Sequence, residues 1–292
     1  MRDLVSCFSE HAIKVSDTAC SSSSAAQPPS IQNTTVSCLY RSTLSTQKRL
    51  ITTVTWCKNL MGHSITISVL SSDDPSDNPK IIDPNFRPIW KKRGTRSFHS
   101  NTAKIDIFWD LTNARYDAGF PEPMDGFYVG VIADSELVLL LGDAYEESHA
   151  PIAHFTMVAR KEYVFGKIQY SAKARFFDGG PDHDISIKCR GQNGLLREPE
   201  LFVAIDQKKV VHVQRLHWKF RGNQTIFIDG SPIELMWDVH GWFVNPVSGC
   251  AVFLFRERSG LESRLWLEEQ LQQPKGGDRI GFSLLIYACR SP

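Results

Sequence analysis

An all-β fold is what this sequence predicts, and three observations carry the prediction. Short segments rich in β-branched and aromatic residues alternate apolar with polar, the two-residue period of a strand with one buried face. Turn signals separate them at short, regular spacing, the pattern of a sandwich or barrel. The third observation is a stretch that occurs twice. Trp90-Lys91-Lys92-Arg93-Gly94 leads to Ile105-Asp106-Ile107-Phe108-Trp109-Asp110-Leu111, and Trp218-Lys219-Phe220-Arg221-Gly222 leads to Ile233-Glu234-Leu235-Met236-Trp237-Asp238-Val239. The tryptophans stand 19 positions apart in each copy, and the copies are offset by 128. We read this as an internal duplication. The expectation is two tandem, related antiparallel β-sandwich or barrel-like units packed together, 33–160 and 161–292, with one short helix near the C-terminus. Residues 1–32 read as a flexible N-terminal segment with a Ser-rich linker.

Taken in order, the first unit opens with strands at 36–40 and 50–56, the latter rich in Thr, Ile and Val. The turn 59–62 leads to 64–69, where Ile65, Ile67 and Val69 share a face. The segment 71–88 is a Pro-rich loop that reads as a solvated, turn-rich connection, since it lacks EF-hand spacing, with calcium binding by Asp73, Asp74 and Asp77 as the alternative. In 105–111, Ile105, Ile107, Trp109 and Leu111 face one way, and Asp106 and Asp110 the other. Strands 127–133 and 137–141 form a hairpin across Asp134-Ser135, and 155–158 is a strand that can continue to Phe165. The second unit reads as strands at 168–177, 184–189, 201–205 and 210–214. Strands 225–228 and 233–239 meet across Asp229-Gly230, where both turn positions tolerate positive φ. Strands 251–255 and 282–288 flank 261–271, which has the apolar stripe of a helix in Leu261, Leu265, Trp266 and Leu271.

Composition excludes more than it identifies. Hydrophobic residues make up 42% and the formal charge is +1, so a core is expected and no global attraction to nucleic acid is. The seven cysteines are odd in number and lack C-x-x-C spacing. The chain starts without a long apolar run, and none elsewhere is long enough to span a bilayer. Free, mostly buried thiols in a reducing compartment follow, with a cytoplasmic location, peripheral at a membrane when docked. Residues 1–20 have a helical apolar spacing, so lipidation of Cys7 or Cys20 is an open alternative to a docked helix.

Candidate chemistry is sparse. The repeated tryptophans read as core anchors, because each lies on the apolar face of an alternating strand. Asp106, Asp110, Glu234 and Asp238 read as a solvated face rather than acid/base pairs, and Phe108 and Met236 on that face are candidates for contact between the units. No metalloprotease, nucleophile-elbow, Walker or dinucleotide motif is present, so no catalytic residue, metal ligand or cofactor is assigned. What remains is two basic stretches at corresponding positions. Lys91, Lys92, Arg93 and Arg96 form one, and Lys219 and Arg221, interleaved with Trp218 and Phe220, form the other. Cations beside aromatics suit an anionic partner, while the alternative is edge protection of exposed strands.

Residues 1–10, Asp17-Thr18-Ala19-Cys20, Trp56-Cys57-Lys58-Asn59 and Phe282-Ser283-Leu284-Leu285 resemble a plant family catalogued as domain of unknown function 868. The resemblance runs over nearly the whole chain and implies a plant origin and a shared fold. It implies no substrate, cofactor or catalytic residue. The expected function is therefore a non-enzymatic binding or adaptor protein, docking on anionic membrane lipid or a protein partner through its basic loops. The alternative is a carrier or enzyme with an apolar cavity inside a sandwich or barrel.

Overall fold

The computed structural model describes residues 34–71, 80–81, 88–99, 104–117, 120–145, 153–166, 169–177, 179–190, 198–245, 247–257 and 281–290. The helix expected at 261–271, the loop with Asp73, Asp74 and Asp77, and Cys7 and Cys20 lie outside them.

The fold is all-β, built from sheets that do not close into a barrel. β1 (Thr34–Thr43), β2 (Arg49–Asn59), β3 (Gly62–Ser71) and β4 (Lys80–Ile81) form a meander. β5 (Arg93–His99) and β6 (Lys104–Asp110) follow, then the small ribbon β7 (Arg115–Tyr116) and β8 (Pro123–Asp125), then β9 (Tyr128–Ala133) and β10 (Glu136–Gly142). β5, β6, β9 and β10 make a separate four-stranded sheet in the order β10-β9-β6-β5. After the long strand β11 (His154–Phe165), a second four-stranded sheet runs β12 (Gln169–Ala174), β13 (His183–Arg190), β14 (Glu200–Ile205) and β15 (Lys208–Val213). The chain ends with β16 (Arg221–Ile228), β17 (Ser231–Asp238), the short helix α1 (His240–Val244), β18 (Cys250–Glu257) and β19 (Ser283–Cys289).

β11 joins the two halves. It pairs with β1 antiparallel and with β19 parallel, which creates one nine-stranded sheet in the order β16-β17-β18-β19-β11-β1-β2-β3-β4. The expected boundary at residue 160 falls inside this strand. In register, Val36 and Ile286 flank Glu162, while Cys38 and Leu284 flank Arg160. Laterally paired residues share a face. Val36 and Cys38 belong to one apolar core and Leu284 and Ile286 to the other. Both small sheets therefore cover the same face of the large one. One core gathers Trp56, Ile65, Ile107, Trp109 and Val131, and the other gathers Ile187, Val203, Trp237, Phe253 and Phe255. Met157 on β11 packs against both.

The repeated sequence folds as one repeated hairpin motif. Arg93 pairs with Asp110 and Gly94 with Trp109 across β5–β6, and Arg221 with Asp238 and Gly222 with Trp237 across β16–β17. Each indole is buried and packs against the glycine opposite it. Its N–H donates to the carbonyl of Lys91 (2.9 Å) or Lys219 (3.1 Å). The likeness holds for the hairpins, but the sheets that carry them differ: β5–β6 edges a four-stranded sheet and β16–β17 the nine-stranded one. Phe108 does not join the halves, and Met236 is half-buried on the face of β17 opposite Leu235 and Trp237. Phe108 packs over Gly130 with Tyr128 and Tyr145 (ring centroids 6.0 and 5.4 Å), on the outer side of its own sheet.

Two features depart from the sequence reading. The expected strand 36–40 extends to Thr43, with a register shift at Leu39/Tyr40 against β11. The expectation of free thiols throughout is corrected by a Cys250–Cys289 disulfide, whose Cα atoms are 4.1 Å apart across β18 and β19. The pair is 39 residues apart in sequence, and only strand register brings it together. Cys38 and Cys189 are free thiols.

A β-carbon on Gly94 would stand 2.8 Å from Cζ2 of Trp109, and one on Gly222 would be nearer still to Trp237. Urea unfolding is expected to show Gly222→Ala losing about 2 kcal/mol, as overpacking does, with a smaller loss for Gly94→Ala.

Candidate functional site

Strand direction decides where the two basic stretches end up. β11 runs toward one rim of the large sheet, so its antiparallel neighbour β1 starts at that rim, β2 ends there and the β2–β3 turn lies on it. Because β19 is parallel to β11, it also ends at this rim. β18 then starts there, β17 ends there and β16 starts there. The β2–β3 turn and the β17–α1–β18 connection consequently share one edge of the molecule.

At one end of this rim, Leu60 and Met61 form the β2–β3 turn, and Met61 is 84% exposed. Ile89 bridges Ile65 near the start of β3, with Ile89 N–H donating to Ile65 O at 2.7 Å. Trp90 comes next in the chain and is 46% exposed. The carbonyls of Lys91 and Lys92 are held by the Trp109 indole and by the Leu111 N–H (2.6 Å), so the backbone is pinned while the side chains face water. Exposed Met124 on β8 joins this end, because Tyr116 of the β7–β8 ribbon stacks on His63 of β3 at 3.8 Å.

The other end repeats the plan. Residues 215–219 form a turn closed by Trp218 N–H to Arg215 O (2.9 Å) and Lys219 N–H to Arg215 O (3.1 Å). Trp218 projects from it, 81% exposed. His217 lies 4.7 Å from Phe243 and Phe220 5.0 Å from His240, which brings this turn against α1. Exposed Val244 and Val247 follow, and the Asn245 side chain accepts the N–H groups of Val247 and Ser248 at 3.1 Å each. β16 and β3 are seven strand positions apart in the large sheet, so the two ends are separated by roughly 30 Å.

The basic residues divide by their partners. Arg93 pairs with Asp110 (3.4 Å) and Arg221 with Asp238 (2.8 Å), both at the surface. Hydrogen bonds from Thr112 hold the Asp110 carboxyl below its ordinary range, and Arg93 adds to this. Glu234 pairs with Arg256 and Asp106 with Lys104, so all four strand-face carboxylates sit in ion pairs. Lys91, Lys92 and Lys219 are exposed and have no carboxylate partner among the described residues. Arg96 stands apart: it lies farther along β5, half-buried, opposite Ile107 and on the face of Gly94 and Phe98.

Two polar clusters escaped sequence reasoning. At the seam between the cores, Arg160 binds Glu122 through both guanidinium arms and Glu162 through Nε, and it donates to Cys38 Sγ at 3.4 Å. Glu162 is 1% exposed, and burial raises its carboxyl above the usual range against the pull of Arg160. Burial also pushes the Cys38 thiol up to about 12, so this sulfur is no nucleophile near neutral pH. No sequence signal marks the cluster, since its members come from β1, the β7–β8 ribbon and β11. The second cluster is His183, clamped by Asp206 on Nδ1 (2.6 Å) and Asp229 on Nε2 (3.0 Å). The two aspartates occupy turns with φ of +48° each, and Asp229-Gly230 was legible as one of them. The clamp ties the β14–β15 turn to the β16–β17 turn. No group of three His, Cys, Asp or Glu side chains among the described residues is placed to hold a metal.

Fold and site together define an all-β protein with a basic, aromatic rim. The chain belongs to the family described as plant protein of unknown function (DUF868), whose model matches residues 30–290. No curated protein and no solved structure matches it. No described helix is long and apolar enough to cross a membrane.

Arg160→Met leaves the buried Glu162 and the half-buried Glu122 without their counter-ion. Chemical denaturation is expected to show a loss of about 3–5 kcal/mol. For His183, burial works against the imidazolium, but hydrogen bonds to Asp206 and Asp229 outweigh it and the pKa is raised. The clamp then stabilises fully below the unfolded histidine value of about 6.5 and loses its effect as pH rises through the folded value. Melting temperatures across this window are expected to fall with rising pH in the wild type. The slope is expected to flatten in Asp206→Asn with Asp229→Asn, since asparagine accepts the positive φ.

Proposed function

We propose that this protein is a non-enzymatic docking module that attaches edge-on to anionic membrane lipid through its rim. One observation carries the reading: the two basic stretches, far apart in sequence, come out on the same rim, each with an exposed tryptophan beside exposed lysines lacking a carboxylate partner among the described residues. A flat anionic surface can meet both at once. Attraction near such a surface is about 1 kcal/mol per basic residue, so Lys91, Lys92 and Lys219 supply about 3 kcal/mol. That suits weak, reversible attachment, sensitive to salt because exposed charges are screened within about 8 Å at physiological ionic strength. Supporting this over an internal ligand site, Trp109, Trp237 and Trp242 fill the sandwich interiors with their own rings.

The reading predicts that the protein sediments with phosphatidylserine-containing vesicles at low salt, much less at high salt, and not with neutral vesicles. Lys91→Glu, Lys92→Glu and Lys219→Glu together are expected to weaken sedimentation at least tenfold at low salt with an unchanged melting temperature. Equal sedimentation with neutral and anionic vesicles, or indifference to the triple charge reversal, contradicts the proposal.

A further inference from the structure

We infer that the rim enters the bilayer: Trp218, Val244 and Val247 at one end, and Leu60 and Met61 at the other, insert at the boundary between headgroups and acyl chains. This rests on the docking reading and adds to it a hydrophobic, salt-resistant component and a named set of inserting residues.

The distribution of exposed apolar side chains is the first argument. Of the eight large hydrophobic residues exposed in the described chain, seven lie on this rim, and only Phe227 lies toward the opposite end of β16. Single exposed apolar residues are ordinary, but their gathering on one edge marks an interaction surface. Attraction of lysines to anionic headgroups makes no use of an indole in water. Burying one in the interface does, because the ring is apolar and its N–H still reaches the headgroup layer.

The second argument is rigidity. Trp218 stands on a turn whose backbone is held at Arg215 and at Lys219, the latter by the buried Trp237 indole at 3.1 Å. Val247 follows a turn organised by Asn245, and the two turns are coupled by the His217–Phe243 contact. The side chains are thus presented outward by a fixed scaffold, and little ordering is required when they bind. The third argument is shape. Two apolar tips roughly 30 Å apart on one edge fit a flat sheet of lipid, whereas a soluble headgroup is small enough to engage only one of them.

The test uses the full chain with phosphatidylserine/phosphatidylcholine vesicles carrying brominated acyl chains, read by tryptophan fluorescence and by sedimentation. The expected result is quenching on brominated vesicles. Trp218→Phe should lose most of the quenching measured on the fraction that still sediments, because the inserted indole is the reporter. Met61→Ser with Trp218→Ser, which leaves every cation in place, is expected to weaken sedimentation about tenfold, since two large side chains no longer leave water. It should also abolish the fraction that survives 0.5 M salt, where charge is screened within about 4 Å. Phe227→Ser, at the opposite end, should behave as wild type. Insertion is overturned, with docking intact, if the wild type sediments but brominated lipid does not quench it. It is overturned equally if the double serine variant sediments normally, or if a soluble inositol polyphosphate competes binding away completely. Wild type that fails to sediment with anionic vesicles at low salt overturns both.

Discussion

The parallel pairing of β11 with β19 is the constraint on which the rest of the molecule depends. Every other ladder in the large sheet is antiparallel and links neighbours in sequence, apart from β1 with β11. Those ladders place nothing in one half relative to the other. The seven in-register pairs from Ala159↔Ser283 to Phe165↔Cys289 do. They put both small sheets on one face and align the ends of β16–β19 with the β2–β3 turn. Were β19 antiparallel to β11, the last meander would be inverted, and Trp218 would stand at the opposite rim from Trp90. The shared rim is therefore a consequence of strand polarity at a single junction.

That junction carries a cost in buried charge. A strand between two apolar cores would be expected to turn aliphatic residues inward, yet β11 turns Arg160 and Glu162 inward beside Val158. Arg160 meets both glutamates, and Glu122 belongs to the ribbon that carries Met124 toward the rim. A buried pair gains specificity more readily than stability, because desolvation consumes much of its Coulombic gain. Here Nε of the guanidinium serves Glu162 and its two terminal arms serve Glu122, a pairing that a slip of β11 against β1 would break. A one-residue slip would also turn Arg160 to the outer face and leave Glu122 unpaired.

The repeated hairpin solves a narrower problem. An edge strand needs its sheet to be covered, yet has only one neighbour to pack against. A glycine opposite a tryptophan lets the indole lie across the strand, and the indole N–H then captures the carbonyl of the residue three positions before that glycine. In both copies this pins the approach to the edge strand while leaving the adjacent lysines and the preceding tryptophan in water. Core packing and surface presentation come from the same local device, which is why the motif is conspicuous in the sequence and why its exposed half is part of the rim.

The sequence by itself determined what depends on near neighbours. Alternation placed the strands, Asp229-Gly230 and Asp134-Ser135 placed two hairpins, and the twin tryptophans announced two buried anchors with basic residues beside them. These were legible because strand period and turn chemistry are set within a few residues. The tertiary structure alone decided the rest: the junction at β11, the Cys250–Cys289 disulfide, the Arg160 cluster, the His183 clamp, the separation of Arg96 from the other cations and the meeting of two distant basic stretches on one edge. Each depends on which strand lies beside which, and in what direction. A period of two is identical in parallel and antiparallel strands, so nothing in the local pattern reports that choice.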